Sequence, residues 1–163
     1  MKVLLVDDEV DLLYEVKIFL ERNNHDVLTA ETGESGLETY FLKLDKESNS
    51  PPFDIVILDY QLPGENGMKV AEKILSECPT QRILFASAYV EDTLKDSIKT
   101  LKQIVELLQK PFSLHTLLKI IEDTNMYKEL EILNVDIKNL KILEPTHAQI
   151  STYLDILKKI QNN

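Results

Sequence analysis

Cysteine is nearly absent, with Cys78 standing alone. One thiol excludes an intrachain disulfide and any multi-cysteine metal site, and the expected location is cytoplasmic. Glycine is scarce as well. The four glycines (Gly33, Gly36, Gly64 and Gly67) form no spaced loop of the kind that cradles a dinucleotide or a nucleotide phosphate. Long apolar runs are missing. Stretches such as residues 3–6 and 55–58 are far shorter than the ~20 residues of a membrane span. The first residues turn acidic at Asp7 and lack the longer apolar stretch and cleavage site of an export signal. Positive charge is in deficit: 18 Lys and Arg stand against 28 Asp and Glu, for a net charge of -10. That sign opposes binding to nucleic acid or to an anionic membrane surface, so neither is an expected partner.

What is present is a globular balance, with 44% hydrophobic and 28% charged residues. The charge is unevenly placed. Residues 1–123 carry 13 basic and 23 acidic side chains, whereas residues 124–163 carry five of each. The shift predicts a boundary near residue 123, with a domain at 1–123 and a helical extension at 124–163.

The first part alternates short apolar runs with helical spacing. Strands are predicted at residues 2–6, 27–30, 55–58, 83–86 and 104–108. Helices are predicted at 10–22, 34–44, 68–78 and 91–102, and after Ser113. Residues 45–52 read as a polar loop, longer than usual between a helix and a strand. Apolar strands without clean alternation imply burial on both faces. The expected fold is therefore α/β, a doubly wound five-stranded parallel sheet with helices on each side and a C-terminal helical tail.

Ligands of such sheets sit beyond the carboxyl ends of the strands. Asp7 and Asp8 follow the first strand, Asp59 the third, Ser87 the fourth and Lys110 the fifth. On one parallel sheet they converge on one rim. Clustered carboxylates repel, and a divalent cation relieves them. Hard oxygen donors, few in number with room for water, suit Mg²⁺. Lys110 adds a point charge for a phosphate oxygen or a carboxylate. A carboxylate in this setting can accept a phosphoryl group in line, and Asp59, ending the central strand, is the candidate nucleophile. Ser87 can then hydrogen-bond a phosphoryl oxygen, as a switch would. Each residue also has a plainer role. Asp7-Asp8-Glu9 could simply start a helix, Ser87 could be a cap, and Lys110-Pro111 could be a loop entry. The shared rim gives them a joint meaning. His25, His115 and His147 show no metal-binding spacing.

The set Asp7-Asp8, Asp59, Ser87-Ala88 and Lys110-Pro111-Phe112, with the turn from Asp59 to Gly67, resembles the response-regulator receiver domain of two-component signalling. The resemblance covers roughly residues 1–123 and implies a flavodoxin-like fold. It implies Asp59 as phosphoacceptor, Asp8 and Asp59 as Mg²⁺ ligands, Asp7 as a ligand largely through water, and the carbonyl of Gln61 as a further ligand. Ser87 becomes the switch hydroxyl and Lys110 the family's lysine. The phosphodonor would be a sensor histidine kinase, and the output would pass through protein contacts to a downstream target. Leu107 stands where the family usually has an aromatic residue. Tyr89 is a candidate substitute, and it would shield the acyl phosphate from water.

The alternatives at this point are an Asp-nucleophile Mg²⁺ phosphohydrolase and a pseudo-receiver that works without phosphorylation. The first is disfavoured because Gln61 stands where a carboxylate acid/base would sit two residues after the nucleophile. No enzymatic action on an external substrate is expected. In the extension, Met126, Leu130, Leu133, Ile137 and Leu140 recur at heptad-like steps, and Thr146 and Gln149 form a capping-box pattern before a second apolar face. These stripes either fold back or bind another chain. Association with a partner or a second copy is the favoured reading.

Overall fold

The computed structural model describes residues 1–45, 47, 50–88, 105–124, and 152, 154 and 156. Five strands appear among them: β1 (Lys2–Val6), β2 (Asp26–Ala30), β3 (Ile55–Asp59), β4 (Ile83–Ser87) and β5 (Val105–Gln109). Four helices accompany them: α1 (Val10–Arg22), α2 (Gly33–Lys43), α3 (Gly67–Glu77) and α4 (Leu114–Glu122). The expected helix at 91–102, Tyr89, and the apolar stripes of residues 125–150 lie outside the described residues. Thr152, Leu154 and Ile156 are helical. Among the described residues no helix is long and apolar enough to cross a membrane.

The chain divides into two compact units, Met1–Leu114 and His115–Asn163. In the first, the strands pair in parallel in the order β2-β1-β3-β4-β5, the flavodoxin-like order. β1 and β3 are neighbours but the path reverses between them. Right-handed crossovers then put α1 on one face and α2 and α3 on the other. The sequence supports both coverings. Every residue of β3 and β4 is buried. Leu4, Val6, Val56, Leu58, Ile83 and Phe85 join Leu37 and Tyr40 of α2 and Val70, Ala71 and Ile74 of α3 in one apolar core. α1 buries Leu13, Val16 and Leu20, three or four residues apart, so one stripe is apolar. In the second unit, α4 buries Leu117, Ile120 and Ile121.

Local chemistry sets the helix starts. Thr32 caps α2 in a capping box with Ser35. Asn66 caps α3 by accepting from the Lys69 amide at 3.0 Å. A buried polar group also ties the lower core together. The Tyr40 hydroxyl donates to Gln81 Oε1 at 3.0 Å, and Gln81 Nε2 donates to the Phe53 carbonyl at 3.0 Å. Burial pushes the Tyr40 phenol well above its ordinary range.

Two contacts hold the strands that carry the site, one at each end of the sheet. The Gly67 amide donates to the Tyr60 carbonyl at 3.0 Å, and a Cβ at Gly67 would run into the carbonyl of Asp59. Arg82 donates from Nε to Glu106 Oε1 at 2.8 Å, clasping β4 to β5, and Glu106 is buried. Gly67→Ala should force α3 away from the end of β3 and cost about 1–3 kcal/mol in chemical denaturation. Arg82→Met should cost roughly 3 kcal/mol by removing one member of a buried pair. Arg82→Met combined with Glu106→Leu should recover much of that loss in the same measurement.

Candidate functional site

β1 ends at Val6, so Asp7 is the first residue past the sheet. Its amide donates to the Ala30 carbonyl at 3.1 Å, which holds it beside the end of β2. Its carboxylate is almost fully buried, and Oδ1 accepts the Glu9 amide at 3.0 Å. Asp59 and Ser87 are the last residues of β3 and β4 rather than the first of the loops that follow. The ladder explains this extra residue: Asp59 stands opposite Ala86, and Ser87 opposite Gln109. Lys110 comes next, with its amide donating to the Ser87 carbonyl at 2.8 Å. Four parallel strands therefore deliver Asp7, Asp59, Ser87 and Lys110 to one rim.

The side chains meet there. Lys110 Nζ lies 2.6 Å from Asp59 Oδ2, 2.7 Å from Asp7 Oδ2 and 2.9 Å from Glu9 Oε1. Asp59 Oδ1 accepts the Gln61 amide at 2.8 Å, so both oxygens of Asp59 are engaged. Burial raises the Asp7 carboxyl above the ordinary carboxylate range, against the pull of its bonds to Lys110 and the Glu9 amide. Burial alone would depress the Lys110 ammonium. Its hydrogen bonds to Asp59, Asp7 and Glu9 outweigh that and push it well above the usual lysine value. The lysine thus stays charged across the physiological range.

Of the residues expected from sequence, the structure joins Asp7, Asp59 and Lys110 directly. Ser87 is fully buried at the end of β4. Gln61 touches Asp59 through its amide. Asp8 is exposed, and the described carboxylates whose oxygens gather within 4.8 Å are Asp7, Glu9 and Asp59. Glu9 was not a predicted site residue. The only sign of it in the sequence is the third acid of Asp7-Asp8-Glu9. It is the N-cap residue of α1, yet its side chain makes no cap bond and turns to Lys110 instead. Leu107 is half-buried and packs against the apolar core, opposite Phe85 in the ladder.

The donor set suits a hard divalent cation. Three carboxylates face one ammonium, all through oxygen, and two of the three belong to buried residues. Mg²⁺ favours a few carboxylates with room left for water.

The model of the response regulator receiver domain matches residues 3–122. Protein PilH of Pseudomonas aeruginosa is 29% identical over 121 residues, covering 74% of this chain and 93% of PilH. A probable transcriptional regulatory protein of Picosynechococcus is 33% identical over 119 residues, covering 71% of this chain but 45% of that protein. The chain therefore spans less than half of that longer relative. Among solved structures, the chemotaxis protein CheY4 of Vibrio cholerae superposes with a TM-score of 0.64 at 26% identity, over 74% of this chain and 95% of CheY4. Receiver domains are generally signalling modules that bind Mg²⁺ and take phosphate from histidine kinases. A parallel sheet in this order, an acidic rim with its lysine, and a family match over most of the length agree: the chain belongs to the response-regulator receiver domains of two-component systems.

Proposed function

We propose that this protein is a phosphorylation-activated switch whose phosphoacceptor is Asp59, with a sensor histidine kinase as donor. The observation that carries this reading is the Asp59 carboxylate itself. It is buried to 7% exposure at the end of the central strand and gripped by Lys110 on one oxygen and the Gln61 amide on the other. Those two donors fix its orientation for in-line attack. An Asp59 oxygen forms a bond to phosphorus, the phosphorus–nitrogen bond of the phosphohistidine breaks, and its electron pair returns to the imidazole. Lys110 then donates to a phosphoryl oxygen, where its charge opposes the charge that builds there.

Bound Mg²⁺ would supply further neutralisation of the phosphoryl oxygens. Asp8, Asp59 and the Gln61 carbonyl would hold it, with Asp7 acting largely through water, as the family pattern suggests. The buried Ser87 hydroxyl, one position past Asp59's ladder partner, becomes a donor to the phosphoryl group. That movement transmits the change to β4 and the surface beyond it. Gln61 stands where a hydrolase would need a carboxylate, which favours a switch over an enzyme on external substrates. Residues 1–123 act as the receiver in this reading, and 124–163 as an association or output segment, acting through a downstream protein or a second copy.

Incubation with acetyl phosphate and Mg²⁺ should add the mass of one phosphoryl group to the intact protein. Chelation of the metal, or Asp59→Asn, should abolish the gain. An unmodified parent protein would rule the switch out in favour of a module that works without phosphorylation. Lys110→Met, which leaves the carboxylates facing one another, should lower stability without Mg²⁺ by about 3 kcal/mol. Thermal melts should then show Mg²⁺ stabilising this variant more than the parent, because the ion takes over the lost positive charge.

A further inference from the structure

We propose that Glu9 is a positioning residue that acts through Lys110. Its carboxylate occupies the ammonium donor that an incoming phosphoryl oxygen needs, and it sets the rate at which Asp59 is modified by how readily it lets go. The inference rests on the reading of Asp59 as phosphoacceptor and goes beyond it, to a residue outside the expected site.

The argument is a count of donors. A lysine ammonium has three N–H bonds and no acceptor. In the structure, carboxylate oxygens of Asp59, Asp7 and Glu9 lie 2.6, 2.7 and 2.9 Å from Lys110 Nζ, one for each. A phosphoryl group on Asp59 can gain Lys110 only if one of these bonds opens. The three partners are not equally able to yield. The side chains of Asp7 and Asp59 are 2% and 9% exposed, so a donor taken from either leaves a carboxylate poorly hydrated. The Glu9 side chain is 63% exposed, and water can replace the lysine there at little cost. Glu9 also has the longest of the three contacts. Its side chain makes no cap bond to α1, so the helix start does not hold it in place. Glu9 is therefore the partner that exchanges, and its charge also repels an anionic phosphodonor approaching the same rim.

The test is the rate of phosphorylation of the full chain by acetyl phosphate with saturating Mg²⁺, followed by intact mass. In this reaction Asp59 oxygen bonds to phosphorus as the phosphorus–oxygen bond to the acetyl group breaks and acetate leaves. Glu9→Gln should react faster, by about two- to fivefold at low salt. The gain should shrink as salt rises, because the contact is exposed; a change in folding would not show that dependence. Glu9→Asp, which keeps the charge but shortens the reach to Lys110, should fall between the parent and Glu9→Gln. A Glu9→Gln variant that reacts at the parent's rate would overturn the proposal while leaving Asp59 as the acceptor. So would one that is slower and needs more Mg²⁺, which would make Glu9 an ion ligand. A Glu9→Asp variant equal to the parent would overturn the contact as the cause. If no version takes up phosphate while Lys110→Met is still rescued by Mg²⁺, the acceptor reading itself fails, and this one with it.

Discussion

A single ammonium between two buried carboxylates governs the site. Without Lys110, Asp7 and Asp59 would face each other at the rim with little water to screen them and no cation between them. With it, the two carboxylates meet the ammonium at 2.7 and 2.6 Å, and their repulsion is offset. The cost of burying Asp7 shows in its raised carboxyl value, and the benefit shows in an ammonium pushed above the usual lysine value by its three carboxylate partners. The site is therefore poised rather than relaxed. Its charge balance is satisfied internally, and any ligand that enters must displace part of it.

The sheet makes that balance possible. Because all five strands run parallel, their carboxyl ends share one edge, and the reversal of strand order beside β1 leaves the edge open between two layers of helix. The apolar strand residues supply rigidity in place of direct chemistry. β3 and β4 are buried throughout, so Asp59 and Ser87 are anchored by the residues behind them. Gly67 allows α3 to begin almost against the Asp59 carbonyl, and the Arg82–Glu106 pair fastens β4 to β5. The rim is thus held from behind by buried strands and from the side by α3, while the Arg82–Glu106 pair joins β4 to β5 at the opposite end of the sheet.

Much of this was legible in the chain itself. The five apolar runs mark five strands with ends displaced by no more than a residue or so, since a strand buried on both faces leaves a plain signature. Asp7, Asp59 and Lys110 could be assigned to one rim because parallel topology leaves them no other place. What was not legible depends on distant partners. Asp59 and Ser87 belong to the strands because of ladder bonds to β4 and β5 that no local pattern reveals. Glu9 looks like an ordinary acid at a helix start, and its attachment to Lys110 is set by a residue 101 positions away. Gln81, a polar residue in the core, is accounted for by the Tyr40 hydroxyl and the Phe53 and Arg82 carbonyls it meets there. The switch aromatic is a different case: Leu107 is seen against the core, whereas Tyr89 lies outside the described residues.

The long separation of the lysine from its partners has a temporal consequence. Asp7 and Asp59 are synthesised well before Lys110, which follows the last strand of the sheet. A nascent chain on the ribosome can pair β1, β2 and β3 and still carry an acidic rim with no cation of its own. The rim's charge balance is therefore completed late in translation, when β5 and the residue that follows it emerge.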